Sequence, residues 1–319
     1  MRNLLKKLMN QFKTTKKNKR GGNGNININK TQGRSKKFKH LKCSPKPVGR
    51  TKKHKSNTCY ENDNLMDLKN KWNERNPRDL IVSNDPDVIW ESLKTKLSNL
   101  CDSESCWYRE LDNGKQVDDL FAPVSPKKWI THPNEWLSST DINKVMKQYS
   151  KIYKCFKFIG PSPIDYDYME SENKCVWDEL CKFNLQKHMD NGIFKIGVIF
   201  NTDKHDGPGI HWVSLFINVK MGFIFYFDSG GAEILPNIKK LVDKIIQQGK
   251  ELSTPIHFKF DQNYPKTHQY TTTECGMYSL YFIVHMLEDK LTGNYLKTHI
   301  IRDKHIEKFR KIYYNESDV

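Results

Sequence analysis

No stretch of the 319-residue chain approaches the ~20 consecutive apolar residues that a membrane-spanning helix needs. A secretory signal is not expected either, because Leu4-Leu5 is cut off at once by Lys6-Lys7 and no apolar core follows. The eight cysteines, at positions 43, 59, 101, 106, 155, 175, 181 and 275, form no CxxC pair and no regular framework. Free thiols in a reducing, intracellular setting are therefore the expectation, and no disulfide is called for. An HExxH or comparable ligand pair is also missing, which removes the usual zinc hydrolase. Cys101 and Cys106 have no second Cys/His pair at zinc-finger spacing, so they read as a structural loop. Neither a metal nor a cofactor is expected.

The most telling absence is acidic charge at the N-terminus. Residues 1–60 hold 19 Lys and Arg and not one Asp or Glu. The rest of the chain carries 34 basic and 37 acidic residues, so the formal +16 is a nearly neutral body with a basic tail. Any contact with DNA, RNA or another polyanion belongs to that tail, taken as residues 1–59. Within it, Leu4, Leu5, Leu8, Met9 and Phe12 would share one face of a short helix with lysines opposite. Residues 13–58 have almost no large apolar groups and cannot offset their ordering entropy by burial, so disorder is expected there.

Normal composition returns in residues 60–122. Ser83-Asn84-Asp85-Pro86 reads as a helix start, and Val88, Ile89, Leu93, Leu97 and Leu100 carry a helix to residue 100. This segment reads as a helical arm, followed by an α+β core over residues 123–319. Ser138, Ser139 and Asp141 can cap a helix bearing Ile142, Val145, Met146 and Tyr149. Residues 193–200, 210–219 and 222–228 read as strands, with Lys220-Met221-Gly222 joining the last two as a hairpin. A helix over Ile234–Gln248 and a strand over Ile256–Phe260 follow. After Cys275 come Met277, Leu280, Tyr281, Val284 and Leu287, at the steps of three and four of a buried helix face. Ile300–Tyr314 closes the chain as a helix.

Cys275 thus stands at a helix start, where the dipole and free N–H groups favour a thiolate. His211 lies in the second strand. Asp228, 17 residues later, ends the third, so the hairpin can bring the two together. Gln269 lies six residues before Cys275. These are the parts a thiol nucleophile needs. His211 takes the proton, Asp228 fixes the ring's tautomer, and Gln269 joins the Cys275 backbone N–H as oxyanion donor. Gly276 lets the chain pass close to a substrate. His205, in the Asp203–Pro208 loop, and His257, in mid-strand, fit this set less well, and His268 can shape the Gln269 loop.

The order His211, Asp228, Gln269, Cys275-Gly276 resembles the SUMO-protease-like cysteine proteases, the clan of adenovirus-type and ubiquitin-like-protein-specific enzymes. Within it the chain resembles the polyprotein-processing protease of African swine fever virus more closely than the yeast SUMO-deconjugating enzyme. The shared segments are Cys101-Asp102-Ser103-Glu104-Ser105-Cys106, Asn201-Thr202-Asp203 with Gly207-Pro208-Gly209, His211-Trp212-Val213, Thr273-Glu274-Cys275-Gly276 with Tyr278-Ser279, and Lys308-Phe309-Arg310. The likeness covers about residues 90–315 and leaves out the tail. The swine fever enzyme has Asn where this chain has Asp228, and Asp is the clan's commoner choice.

The resemblance implies a SUMO-protease-like (papain-like) core, its mixed central sheet flanked by helices. It implies a viral endopeptidase that cuts structural polyprotein precursors after Gly-Gly during virion maturation, in the virus factory of the host cytoplasm and the virion core. It implies a narrow substrate tunnel, with Trp212 as a wall and Trp136 as a candidate lid. Two other readings use the same residues: a deubiquitinase or SUMO-deconjugating enzyme, and a nucleic-acid-binding virion protein with a vestigial protease fold. Gly21-Gly22 in the tail is a candidate site of self-cleavage.

Overall fold

A helix that is apolar on every side must be buried on every side, and the helix over Cys275–Leu287 is the centre of the core. The structure, a computed structural model, describes residues 37–46, 58–112 and 118–317. The expected helix over 1–12 and the Gly21-Gly22 pair lie outside the described residues.

In chain order the helices are α1 (Asn62–Arg75), α2 (Pro86–Lys96), α3 (Trp107–Leu111), α4 (Ser139–Ile152), α5 (Asp178–Cys181), α6 (Leu185–Asp190), α7 (Pro236–Glu251), α8 (Cys275–Leu287), α9 (Gly293–Thr298) and α10 (Asp303–Tyr313). The strands are β1 (Phe156–Pro163), β2 (Met169–Ser171), β3 (Lys174–Cys175), β4 (Lys195–Asn201), β5 (Trp212–Asn218), β6 (Phe223–Phe227) and β7 (Lys259–Gln262). Five strands form one sheet in the order β1-β4-β5-β6-β7, and β2 pairs with β3 apart from it. The β4–β5 and β5–β6 pairs are antiparallel, whereas β1–β4 and β6–β7 are parallel, so the sheet is mixed and the fold is α+β.

Alternation along the strands sorts the core into two layers. Trp212 and Phe216 of β5, with Phe225 and Phe227 of β6, face α8, α4 and α10. Val213, Leu215 and Ile217, with Ile224 and Tyr226, face the layer that holds α7. Gly197 in β4 sets how closely α8 approaches the sheet. A Cβ there would stand 2.8 Å from Ile283 Cγ2 and 3.1 Å from the Phe156 ring, so only hydrogen fits. α4 begins as expected, through a reciprocal box in which Ser138 accepts from the Asp141 N–H and Asp141 accepts from the Ser138 N–H.

The arm packs α1, α2 and α3 around Tyr60, Leu68, Trp90, Leu93 and Trp107, with Glu104 buried among them. Glu104 accepts from Thr58 Oγ1 at 2.6 Å, the Cys59 N–H at 2.9 Å and Trp90 Nε1 at 2.8 Å.

Four expectations change. Residues 37–46, assigned from composition to a disordered tail, form an ordered strap. Lys39 N donates to Asp102 O, Ala122 N donates to Lys42 O, and Ser44 N donates to Leu120 O. Asn315 joins the strap to the end of the core, accepting from Lys42 N at 2.7 Å and donating to Lys42 O at 3.1 Å. Phe38 anchors it edge-on to Trp90, so two apolar side chains and a backbone ladder offset its polarity. Second, the cysteines are not all free. Cys43–Cys59, Cys101–Cys106 and Cys175–Cys181 are paired, because strap, loop and hairpin bring their Cα atoms within 5.1, 5.6 and 6.4 Å. Cys155 and Cys275 are free. Third, the helix expected to reach Leu100 stops at Lys96, and Leu100 is exposed. Fourth, the strand expected over Ile256–Phe260 is β7, which begins at Lys259. Ile256 N is taken by Gly249 O at the end of α7, which delays pairing with β6 until Lys259 faces Phe223.

Candidate active site

Cys275 is the first residue of α8 and only 1% exposed. Its N-cap, Glu274, gives the helix no side-chain hydrogen bond, so the first-turn N–H groups stay available and their dipole favours a negative sulfur. His211 sits one residue before β5 and not inside it. The Ile210 N–H turns to Asn201 Oδ1 at 3.0 Å and the Thr202 N–H takes the His211 carbonyl at 2.8 Å, which frees the ring from the ladder's facing. The loop that delivers it is tight: Gly209 has φ +91°, and its N–H reaches Asp203 Oδ2 at 3.0 Å.

Asp228 directly follows β6, and its Oδ1 lies 2.7 Å from His211 Nε2. The Cys275 sulfur also lies near enough to act on the imidazole's charge, and Nδ1 is the ring nitrogen that Asp228 leaves over. Burial alone pushes the imidazolium's pKa down. The Asp228 carboxylate and the Cys275 sulfur outweigh it and raise the ring from 6.5 to about 10. Asp228 itself is 4% exposed and is held from behind. Its N–H donates to Asn263 Oδ1 at 2.9 Å, Asn263 Nδ2 donates back to its carbonyl at 2.7 Å, and the Gly230 N–H donates to Oδ1 at 2.8 Å.

The Gln269 amide has its orientation fixed. Ser229 Oγ donates to its Oε1 at 2.7 Å, and its Nε2 donates to the Thr271 carbonyl at 2.7 Å, leaving a second N–H unused. The Gln269 loop is tethered to α10. Asp303 Oδ2 accepts from the Tyr270 and Thr271 N–H groups at 3.0 and 3.2 Å, and Asp303 Oδ1 accepts from Tyr278 OH at 3.1 Å. His268 is fully buried beside Gln269. It accepts from the Ile301 N–H at Nδ1, and burial pushes it down to about 4, so it stays neutral.

Sequence reading had not singled out Asn263, Ser229 or Asp303 for the site. Their roles depend on backbone partners brought close only by the fold. A Ser directly after Asp228 was the one local signal. Of the other histidines, His205 pairs with Asp165 at 2.7 Å and stacks on Tyr168, so its hydrogen-bond needs are met outside the cluster. His257 lies outside the sheet, just before β7.

A cleft of about 1010 Å³ has Trp136, Leu137, Trp177, Gly209 and Trp212 among its walls, and Trp212 directly follows His211 in the chain. Trp212 is 6% exposed, and its Nε1 donates to the Leu137 carbonyl at 3.0 Å. Trp136 is 41% exposed beside it. Gly276 lies beneath both walls: a Cβ there would meet Leu137 Cβ at 3.0 Å and Trp212 Cδ1 at 3.2 Å. The structure therefore pairs His211 with Asp228 beside Cys275 and ties the Gln269 loop to Ser229, next to Asp228, while Trp212 and Trp136 line the cleft and Gly276 packs against Trp212 and Leu137. A base between a carboxylate and a thiol, beside unused N–H donors, is equipped for acyl transfer.

The profile of the Ulp1 protease family, C-terminal catalytic domain, matches residues 143–318. R355 of Acanthamoeba polyphaga mimivirus, a thiol protease by name, is 31% identical over 280 residues, spanning 81% of this chain and 89% of that protein. A cysteine protease of African swine fever virus (isolate Tick/Malawi/Lil 20-1/1983) is 25% identical over 237 residues, spanning 68% of this chain and 84% of its own. The crystal structure of the African swine fever virus protease shares the fold with a TM-score of 0.60 at 17% identity, over 88% of this chain and 97% of that one. The family match runs from within α4 past the end of α10 and takes in the whole cluster around His211, so the chain is a cysteine peptidase of the Ulp1 protease family.

Proposed function

We propose that this peptidase cuts viral structural polyprotein precursors after Gly-Gly during virion maturation, with Cys275 as nucleophile, His211 as base, Asp228 as its orienter and Gln269 as oxyanion donor. The observation that carries this reading is the Asp228–His211 hydrogen bond beside Cys275, the first residue of α8, whose sulfur helps to raise the imidazole's pKa. The thiolate attacks the scissile carbonyl carbon and its C=O electrons move to oxygen. The oxyanion takes hydrogen bonds from Gln269 Nε2 and the Cys275 N–H. His211 gives its proton to the leaving nitrogen, the C–N bond breaks and a thioester remains. Water deprotonated by His211 then releases the acid and restores the thiolate.

Support for Gly-Gly comes from the bulk of the cleft walls, where Trp136, Leu137 and Trp212 stand side by side. A substrate threading between Trp136 and Trp212 is best without side chains there. On this reading the enzyme acts in the virus factory of the host cytoplasm and in the virion core, where the basic tail would hold it on DNA or RNA.

Cleavage of an internal Gly-Gly peptide tests the proposal. Cys275→Ala and His211→Ala should each abolish it, and full activity in either ends the mechanism. Replacing either substrate Gly with Ala should lower kcat/KM by about 100-fold, and equal cleavage would end the specificity. The African swine fever virus relative from isolate Pig/Kenya/KEN-50/1950 bears the name SUMO-1 cysteine protease. A SUMO-vinyl electrophile that labels Cys275 as fast as a Gly-Gly peptide electrophile would favour deconjugation instead.

A further inference from the structure

Lys308-Phe309-Arg310 stood out in the sequence, yet the reaction as described uses none of it. Arg310, on α10, is 6% exposed, and Glu274, the residue before Cys275, is 1% exposed. Arg310 Nε lies 3.2 and 3.1 Å from the two Glu274 carboxylate oxygens, and Nη2 lies 2.8 Å from Oε1. The same guanidinium reaches a second segment. Nη1 donates to the Glu135 carbonyl at 2.9 Å and Nη2 to the Asn134 carbonyl at 3.4 Å. Its flat face lies 4.4 Å over the Trp129 ring, whose Nε1 donates to the same Glu135 carbonyl at 3.2 Å.

Residues 134 and 135 lead directly into Trp136 and Leu137, the cleft wall that touches Trp212 and Gly276. One planar cation thus ties the nucleophile's N-cap to the wall opposite it. Only a rigid fork of donors can hold a carboxylate and two backbone carbonyls at once; an ammonium on a flexible stem cannot match that geometry.

We infer that Arg310 is a positioning residue that sets the spacing between the 134–137 wall of the cleft and Cys275, and so governs how an extended peptide seats over the thiol. The inference rests on Cys275 being the nucleophile. Arg310 touches no reacting atom. Its loss should disturb peptide alignment and leave the chemistry of the sulfur intact, since misplacement by about 1 Å costs up to 100-fold in peptide turnover.

The test compares wild type, Arg310→Lys and Trp129→Phe. The readouts are steady-state cleavage of a Gly-Gly peptide and the pH profile of Cys275 alkylation by iodoacetamide. Arg310→Lys keeps the charge beside Glu274 and loses the fork. It should raise KM about tenfold while the alkylation rate and its pH profile stay at wild-type values. Trp129→Phe keeps the ring and loses one donor to Glu135, so KM should rise about twofold to threefold; it carries the test if Arg310→Lys does not fold. Wild-type KM and kcat in the folded variants overturn the inference, as does a shifted alkylation profile, which would mean that Arg310 tunes the thiol and not the wall. Failure of the underlying reading looks different: cleavage would survive Cys275→Ala.

Discussion

The arm and the core each bury a carboxylate, and the two are put to opposite use. Glu104 in the arm is 2% exposed and meets a hydroxyl, a backbone N–H and an indole N–H, all neutral donors that cannot give up their charge state. Asp228 in the core is 4% exposed and meets an imidazole that can. The ring's other side faces a thiol, and the His211 side chain is 26% exposed towards solvent. A buried charge with fixed donors holds a structure together. A buried charge whose partner titrates and opens to a cleft stores a proton for use.

The comparison breaks first at Asp228. Asp228→Ala should lower kcat by roughly 10³–10⁴-fold, as loss of a triad carboxylate does. Asp228→Asn should cost less, because the amide oxygen can still orient the ring. The pH profile gives the sign. With the carboxylate present, the imidazolium persists up to about 10 and not 6.5, so the basic limb of kcat/KM lies high. The pair's contribution to stability is full below 6.5 and fades as pH rises through about 10. In Asp228→Asn the basic limb should move down towards 6.5. A limb that does not move would mean Asp228 is no more than a second Glu104.

At Glu104 the opposite outcome is expected. Glu104→Gln turns an amide N–H₂ towards groups that are themselves donors. Hydrogen bonds to a charged acceptor contribute about 1.5–3 kcal/mol, and that much stability should be lost in chemical denaturation. Gly-Gly cleavage per folded molecule should stay at the wild-type value.

Much of this contrast could be read from the chain before folding, and the part that could not has a physical pattern. His211, Asp228 and Cys275 were visible because chemistry restricts them to a few residue types, and the pattern placed Asp228 and Cys275 at element ends and His211 within its strand, one residue too far in. The apolar run of β5 and the period of α8 were equally plain. What stayed hidden depends on distant backbone. Asn263 clamps Asp228 through its main chain, and Asp303 holds the Gln269 loop from 32 residues away or more. No local rule marks such residues. The strap over 37–46 was hidden for a related reason: composition sees few apolar side chains, but a ladder to Asp102, Leu120 and Ala122 needs none. Disulfide pairing was hidden too, since the spacing of Cys43 and Cys59 says nothing of the strap that joins them.

Ser229 sharpens the comparison, because within the core it plays the arm's kind of role. Its hydroxyl is a fixed neutral donor to Gln269 Oε1, at 2.7 Å, and so fixes which side of the amide carries the N–H groups. The loop does not depend on that hydroxyl, since the Ser229 carbonyl separately accepts from the His268 and Gln269 N–H groups at 2.9 Å each. Ser229→Ala should therefore leave the fold and KM unchanged and let the amide rotate. A neutral hydrogen bond is worth about 0.5–1.5 kcal/mol, so kcat should fall between about twofold and tenfold. Gln269→Ala, which removes the donor itself, should cost roughly 10²–10³. In a Gln269→Ala background the Ser229 substitution should then have no further effect, because a hydroxyl that only orients an amide has nothing left to orient. If the two losses instead multiply, Ser229 reaches the oxyanion by a route of its own.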